Sequence, residues 1–208
     1  MPDHAFRRVP WSIQIFFEKI EKIKVKDELA TFLGAGNGIF EYSYYDMVKI
    51  TGHSCATVAG GYLIASEGLK HLYKDEIPVR GNIKVEISKL PTENNFGVIG
   101  LIISAITGAG GDDGFSGIPD GRFKRRGLLS FNANVPYDVV MTRLDNGKQV
   151  GINYNPYAVV NPKEILKTVL NPDATEEDIR AFPKKFQKMV ATIFENRDKV
   201  ITEIKLLR

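Results

Sequence analysis

Cysteine and histidine are scarce in this chain. Its 208 residues hold one cysteine, Cys55, and three histidines, His4, His53 and His71. A single cysteine cannot close an intramolecular disulfide, and it cannot supply a zinc ribbon or a ferredoxin-type cluster. Structural zinc held by four cysteines, or by two cysteines and two histidines, is excluded within one chain. Long apolar runs are missing as well. The most apolar, Val98 to Ile106, is about half of the roughly 20 residues needed to cross a bilayer. Near the N-terminus, Arg7 and Arg8 precede an apolar stretch that is broken by Ser12 and Gln14 and ends at Glu18-Lys19, unlike the uniform core of a secretory leader. These absences point to a soluble protein of a reducing compartment, the cytoplasm, with no membrane partner. Charge of one sign is also lacking: 28 Lys and Arg face 25 Asp and Glu, a net charge of +3, too small to imply a polyanion. No repeat and no low-complexity segment interrupts the chain.

What is present suffices for a core: 43% of residues are hydrophobic and 10% aromatic, and the length fits one domain. Ile13, Phe16, Phe17, Ile20 and Ile23 fall near helical spacing over residues 12–23, with Ser12 as N-cap. A short helix from Asp27 to Leu33 runs into the glycine-rich loop Gly34–Gly38, and an aromatic stretch, Phe40 to Tyr45, leads to Gly52-His53-Ser54-Cys55. Cys55 to Tyr73 reads as one long helix whose first turns are crowded with small residues, permitting close approach of a neighbouring helix or a ligand. Asn82 to Ser88 alternates as a strand does, Val98 to Ile106 reads as a helix although its length also fits a buried strand, and a loop with six glycines spans Thr107 to Arg126. Leu128–Asn132 follows, then Val139–Arg143 and Gln149–Tyr154 form a hairpin turned at Asp145-Asn146-Gly147. From Pro162 onward the pattern is helical, with a capping box at Thr175 to Asp178 and Pro183 placed to bend or delay that last helix. The order predicts an α+β fold: a mixed or antiparallel sheet packed with helices, with a core at about 40–155 and helical extensions at 1–39 and 156–208.

The chemistry concentrates at the start of the long helix. A thiolate at a helix N-terminus is stabilised by unpaired N–H groups and the macrodipole, so Cys55 is placed as a nucleophile or a metal ligand. His53 must lie in the preceding loop to share its site, since residues two apart cannot share a helix face. The competing reading makes Cys55 a buried small hydrophobe and His53 a cap. His71 lies 16 residues on, about 24 Å along one helix, and cannot join. Further donors would come from Asp112, Asp113 or Asp46, leaving open coordination suited to catalysis or ligand binding. A Cys55–His53 dyad without metal has awkward geometry for proton transfer, and no G-x-S-x-G elbow supports a serine triad. The loop Thr107–Gly114 can cradle an anion but matches neither Walker A nor the dinucleotide pattern. Arg122, Lys124, Arg125 and Arg126 could hold an anionic ligand, or simply be a solvated strand entrance. No aromatic platform is interleaved with them, which argues against nucleic acid.

The segment Gly52-His-Ser-Cys-Ala-Thr-Val-Ala-Gly-Gly-Tyr62 resembles the G-H-x-C segment of the FmdE family, which takes its name from formylmethanofuran dehydrogenase. The likeness continues through Pro78-Val-Arg-Gly81, Ile106-Thr-Gly-Ala109 and Gly121-Arg-Phe-Lys-Arg-Arg126, and covers roughly Tyr42 to Asn155. It implies an α+β core that pairs as a homodimer, with a metal or active site at His53 and Cys55 and zinc as the usual metal. It also implies that the Thr107-Gly108 turn closes that site. Ala56 stands where many members have proline, and the cysteine-rich finger of many members has no counterpart here. The expectation is therefore a metal-binding protein acting on or sensing a small ligand. His53 and Cys55 would ligate with Asp112 or Asp113, and Thr107, Gly108, Arg122 and Arg126 would lie near the ligand. The donor set also accommodates iron, nickel, copper or haem. A non-catalytic accessory role beside a larger enzyme, and metal-free cysteine chemistry, are the alternatives.

Overall fold

The structure, a computed structural model, describes residues 15–207; Ser12, the expected first cap, and His4 lie outside them. The fold is α+β. Its centre is a five-stranded sheet in the order β4 (Leu129–Ser130), β3 (Ile83–Ile87), β5 (Val139–Arg143), β6 (Gln149–Tyr154), β7 (Ile201–Leu206). Only β3 and β4 run parallel; the other neighbours are antiparallel. Alternation in β3 buries Ile83, Val85 and Ile87, and the β5–β6 hairpin closes at Gly147, whose φ of +71° only glycine adopts easily.

Helix α4 (Ala56–Tyr73) is buried on nearly every side and forms the middle of the molecule. It lies over β5 and β6: the Ala56 carbonyl accepts from Tyr154 Oη of β6 at 2.7 Å at one end, Gly68 faces Met141 and Ile152, and the Leu72 carbonyl lies 3.5 Å from Arg143 Nη1 of β5 at the other. Helix α5 (Phe96–Thr107) packs beside it over β3, from Ile87 at Gly100 to Gly81, whose N–H bonds the Thr107 carbonyl at 2.7 Å. The two helices are therefore parallel neighbours. The small residues of α4 serve this packing rather than a ligand: a Cβ at Gly60 would collide with the Tyr154 ring, and one at Gly61 would press on Ile102.

Two expectations need correction, both in the extensions. The helix read over 12–23 is reduced, within the described residues, to α1 (Ile15–Glu18), and Ile23 opens a strand, β1 (Ile23–Lys26), whose alternating burial pairs it with β2 (Ile39–Tyr42). The short α2 (Glu28–Phe32) between them is capped by Asp27, and α3 (Tyr44–Thr51) carries a complete Ser43–Asp46 capping box. At the other end, α6 (Pro162–Leu170), α7 (Glu176–Glu195) and α8 (Arg197–Val200) are helical as read, but the chain finishes as β7, an edge strand of the main sheet. Pro183 does not delay α7, which starts at Glu176 and continues through it. Among the described residues no helix is long and apolar enough to cross a membrane.

Candidate functional site

The corner between α3 and α4 is built by local rules. Helix α3 stops at Gly52, whose φ of +75° lets its N–H cap Val48 and turns the chain back. Thr51 Oγ1 donates to the Met47 and His53 carbonyls at 2.8 and 3.0 Å, fixing the three-residue link. Cys55 is the N-cap of α4 in extended backbone, half-buried, with no side-chain bond to the first turn. The first-turn N–H groups of α4 are thus left without a side-chain partner among the described residues. His53 is exposed, and its Nδ1 lies 2.9 Å from the Thr51 carbonyl. A carbonyl only accepts, so Nδ1 carries the proton and Nε2 is left with the lone pair that a metal or an incoming proton needs.

Behind the thiol the surroundings are phenolic. Tyr44 Oη is 2.9 Å from Ser54 Oγ, and Tyr154 Oη reaches the Ala56 carbonyl. Burial pushes the Tyr44 phenol well above its ordinary range, the Ser54 bond opposes this, and charge on Cys55 adds to it. Burial does the same at Tyr154, with Cys55 and Tyr44 contributing. Both phenols thus remain neutral hydroxyls, held on Ser54 and on the Ala56 carbonyl. From α7, Gln187 Nε2 donates to the Ser54 carbonyl at 3.2 Å, and its Oε1 is buried without a partner among the described residues.

The remaining sequence candidates are not brought to this corner. Because Gly61 packs on Ile102 and α4 and α5 run the same way, Thr107 lies about 16 Å further along the helix axis than Cys55. Thr107 is fully buried, its hydroxyl donating to the Ile103 carbonyl at 2.7 Å, and Gly108 caps α5 with a φ of +74°. Asp112 and Asp113 are exposed on a loop bonded to Leu129 at the β4 edge, about 14 Å and three strands from β6. Arg122 pairs with Asp120 at 2.7 Å and lies over Phe32, and Arg126 donates to the Gly114 carbonyl. Asp46 is taken up by the α3 capping box. Among the described residues no three His, Cys, Asp or Glu side chains come together as a metal site.

The far end holds a different arrangement, one that the basic cluster hinted at through Arg125. Asp27, 3% exposed, receives Arg80 Nη1 at 2.8 Å and Arg125 Nη2 at 2.7 Å, while its Oδ1 also caps Ala30. Burial alone would raise the Asp27 carboxyl, but the bonds from Arg125, Arg80 and Ala30 outweigh it and hold it below the usual range. Arg80 further donates to the Ala105 carbonyl at 2.9 Å. The cluster ties the N-terminal ribbon, the end of α5 and the glycine loop together. Reasoning from sequence missed Tyr44, Tyr154 and Gln187 at the corner; Gln187 is 133 positions from Ser54, so no local signal marks it. No family model matches the chain, and no curated protein matches it in sequence.

Proposed function

We propose that this is a cytoplasmic, homodimeric protein of the FmdE-like type that binds a transition metal, zinc first, at the Gly52–Ala56 corner and takes a small ligand there. The observation that supports it most is the pre-set tautomer of His53, two residues from the thiol at the start of an 18-residue helix. Cys55 supplies the sulfur donor and His53 supplies Nε2, oriented by the Thr51 carbonyl. These donors fit one half of an open site and not a closed four-donor one, so the remaining positions fall to the ligand or to a second copy. A bound zinc would supply a Lewis acid for an oxygen of the ligand. Around it the chain's own residues act: Tyr44 and Tyr154 present neutral hydroxyls, and Gln187 Oε1 offers an acceptor.

Elemental analysis of the untagged protein beside Cys55→Ser and His53→Ala tests this reading. Near-stoichiometric metal in the wild type and its loss in both variants is expected. No metal after reconstitution with zinc or iron would overturn it. The absence of a third donor among the described residues favours a second reading, in which Cys55 acts as a bare thiol.

A further inference from the structure

Helix α6 has no fully buried residue, and α7 has none before Met189; Ile165, Phe186 and Gln187 touch the body of the protein at the base, and the rest of residues 162–188 forms a helical arm. Amphipathic helices are held by packing of their apolar face. Here part of that face is open, with Leu170 73%, Ile179 43% and Leu166 36% exposed. The arm is also polarised along its length. Its tip carries Asp173, Glu176, Glu177 and Asp178 with one cation, Arg180, and its base carries Lys163, Lys184, Lys185 and Lys188 beside the paired Glu164 and Lys167. Neither the four tip acids nor these four base lysines form an ion pair among the described residues. The macrodipole accounts for acids in the first turn of α7. It does not account for lysines in the middle of that helix, nor for Lys163 in the first turn of α6, where a cation is unfavourable.

We propose that the arm docks a second copy of this chain, lying antiparallel so that the acidic tip of each arm meets the basic base of the other. Leu166, Leu170 and Ile179 are covered between them. A two-fold pairing satisfies both halves at once, because each copy offers the same acidic and basic ends. The proposal rests on the homodimer reading above and names its surface, which lies outside the Tyr42–Asn155 segment that carries the resemblance.

Sedimentation of the full chain across concentration and salt provides the test, with two charge-reversed variants: Lys184→Glu with Lys185→Glu, and Glu176→Lys with Glu177→Lys. The wild type should be a dimer that weakens as salt rises. Each variant alone should bind itself at least about tenfold more weakly. An equimolar mixture of the two should recover the dimer, which a variant that merely misfolds would not do. A monomeric wild type overturns the arm and the homodimer together. A dimeric wild type whose variants pair as well as it does overturns the arm alone, as does a mixture that stays monomeric. Metal content measured on the same samples reports separately on the site reading.

Discussion

The two ends of the α4–α5 pair handle polar groups in opposite ways. At the Thr107 end, one carboxylate, Asp27, and two arginines, Arg80 and Arg125, are drawn inside and engage one another, so the charge there holds segments together. At the Cys55 end, among the described residues, neither Cys55 nor His53 joins an ion pair: a half-buried thiol and an exposed imidazole lie two residues apart, beside phenols bonded to Ser54 and Ala56, at a helix start that no side chain caps. The difference teaches that the density of charge in a sequence is a poor guide to a site. Of the arginine-rich segment Arg125 is spent on structure, whereas the corner with little charge keeps a helix start that no side chain caps.

Breaking the charged end should have the largest effect on stability. Asp27→Ala leaves two largely buried guanidinium groups without their carboxylate and should cost about 3–5 kcal/mol in denaturant unfolding. Metal content at the corner should be unchanged, and a parallel loss of metal would mean that the two ends are coupled. Gly60→Val, which forces a side chain into the Tyr154 ring behind the corner, should cost about 1–3 kcal/mol by the same measurement. Acid should weaken the charged end only once pH falls below the usual carboxylate range. The Asp27 carboxyl is held below its unfolded value, so its contribution is complete above about pH 4 and is lost as pH falls through the lower folded value. The acid-induced drop in stability should therefore be shallower in Asp27→Asn than in the wild type, and equal slopes would remove Asp27 from the account of acid sensitivity. Tyr154→Phe, which removes only the bond to the Ala56 carbonyl, should cost about 1 kcal/mol. Arg122→Ala with Arg126→Ala should stay within about 0.5 kcal/mol, because both side chains are exposed.

Much of the fold was readable in the sequence where the signal is local. The period of α4, the alternation of β3, the Asn146-Gly147 turn and the Thr175 capping box each sit within a few residues and survive in the structure. Two strands escaped for physical reasons. Ile23 of β1 continues the helical spacing of Phe16 and Ile20 before it, and the two alternating residues Ile23 and Val25 are too few to mark the change of period without the partner β2. In β7, Ile201 and Ile204 are three apart, which looks helical. An irregularity in its pairing at Asn153/Tyr154 brings Ile201 opposite Tyr154 and Ile204 opposite Ile152, on one face of the sheet. The candidate site was half legible. Gly52, His53 and Cys55 lie within four residues and announce a corner. The expectation that Thr107, Asp112, Asp113, Arg122 and Arg126 would close it depended on the relative direction of α4 and α5, which residue spacing does not encode.

Because Cys55 is the only thiol, its alkylation rate with and without zinc compares the two ends most directly. The measurement is made on the wild type, on His53→Ala and on the Arg122→Ala, Arg126→Ala double variant. Zinc should slow alkylation in the wild type and in the arginine variant by the same factor, and should leave His53→Ala unprotected. Equal rates with and without zinc in the wild type would contradict a metal site at the corner, and protection lost in the arginine variant would contradict the separation of the two ends.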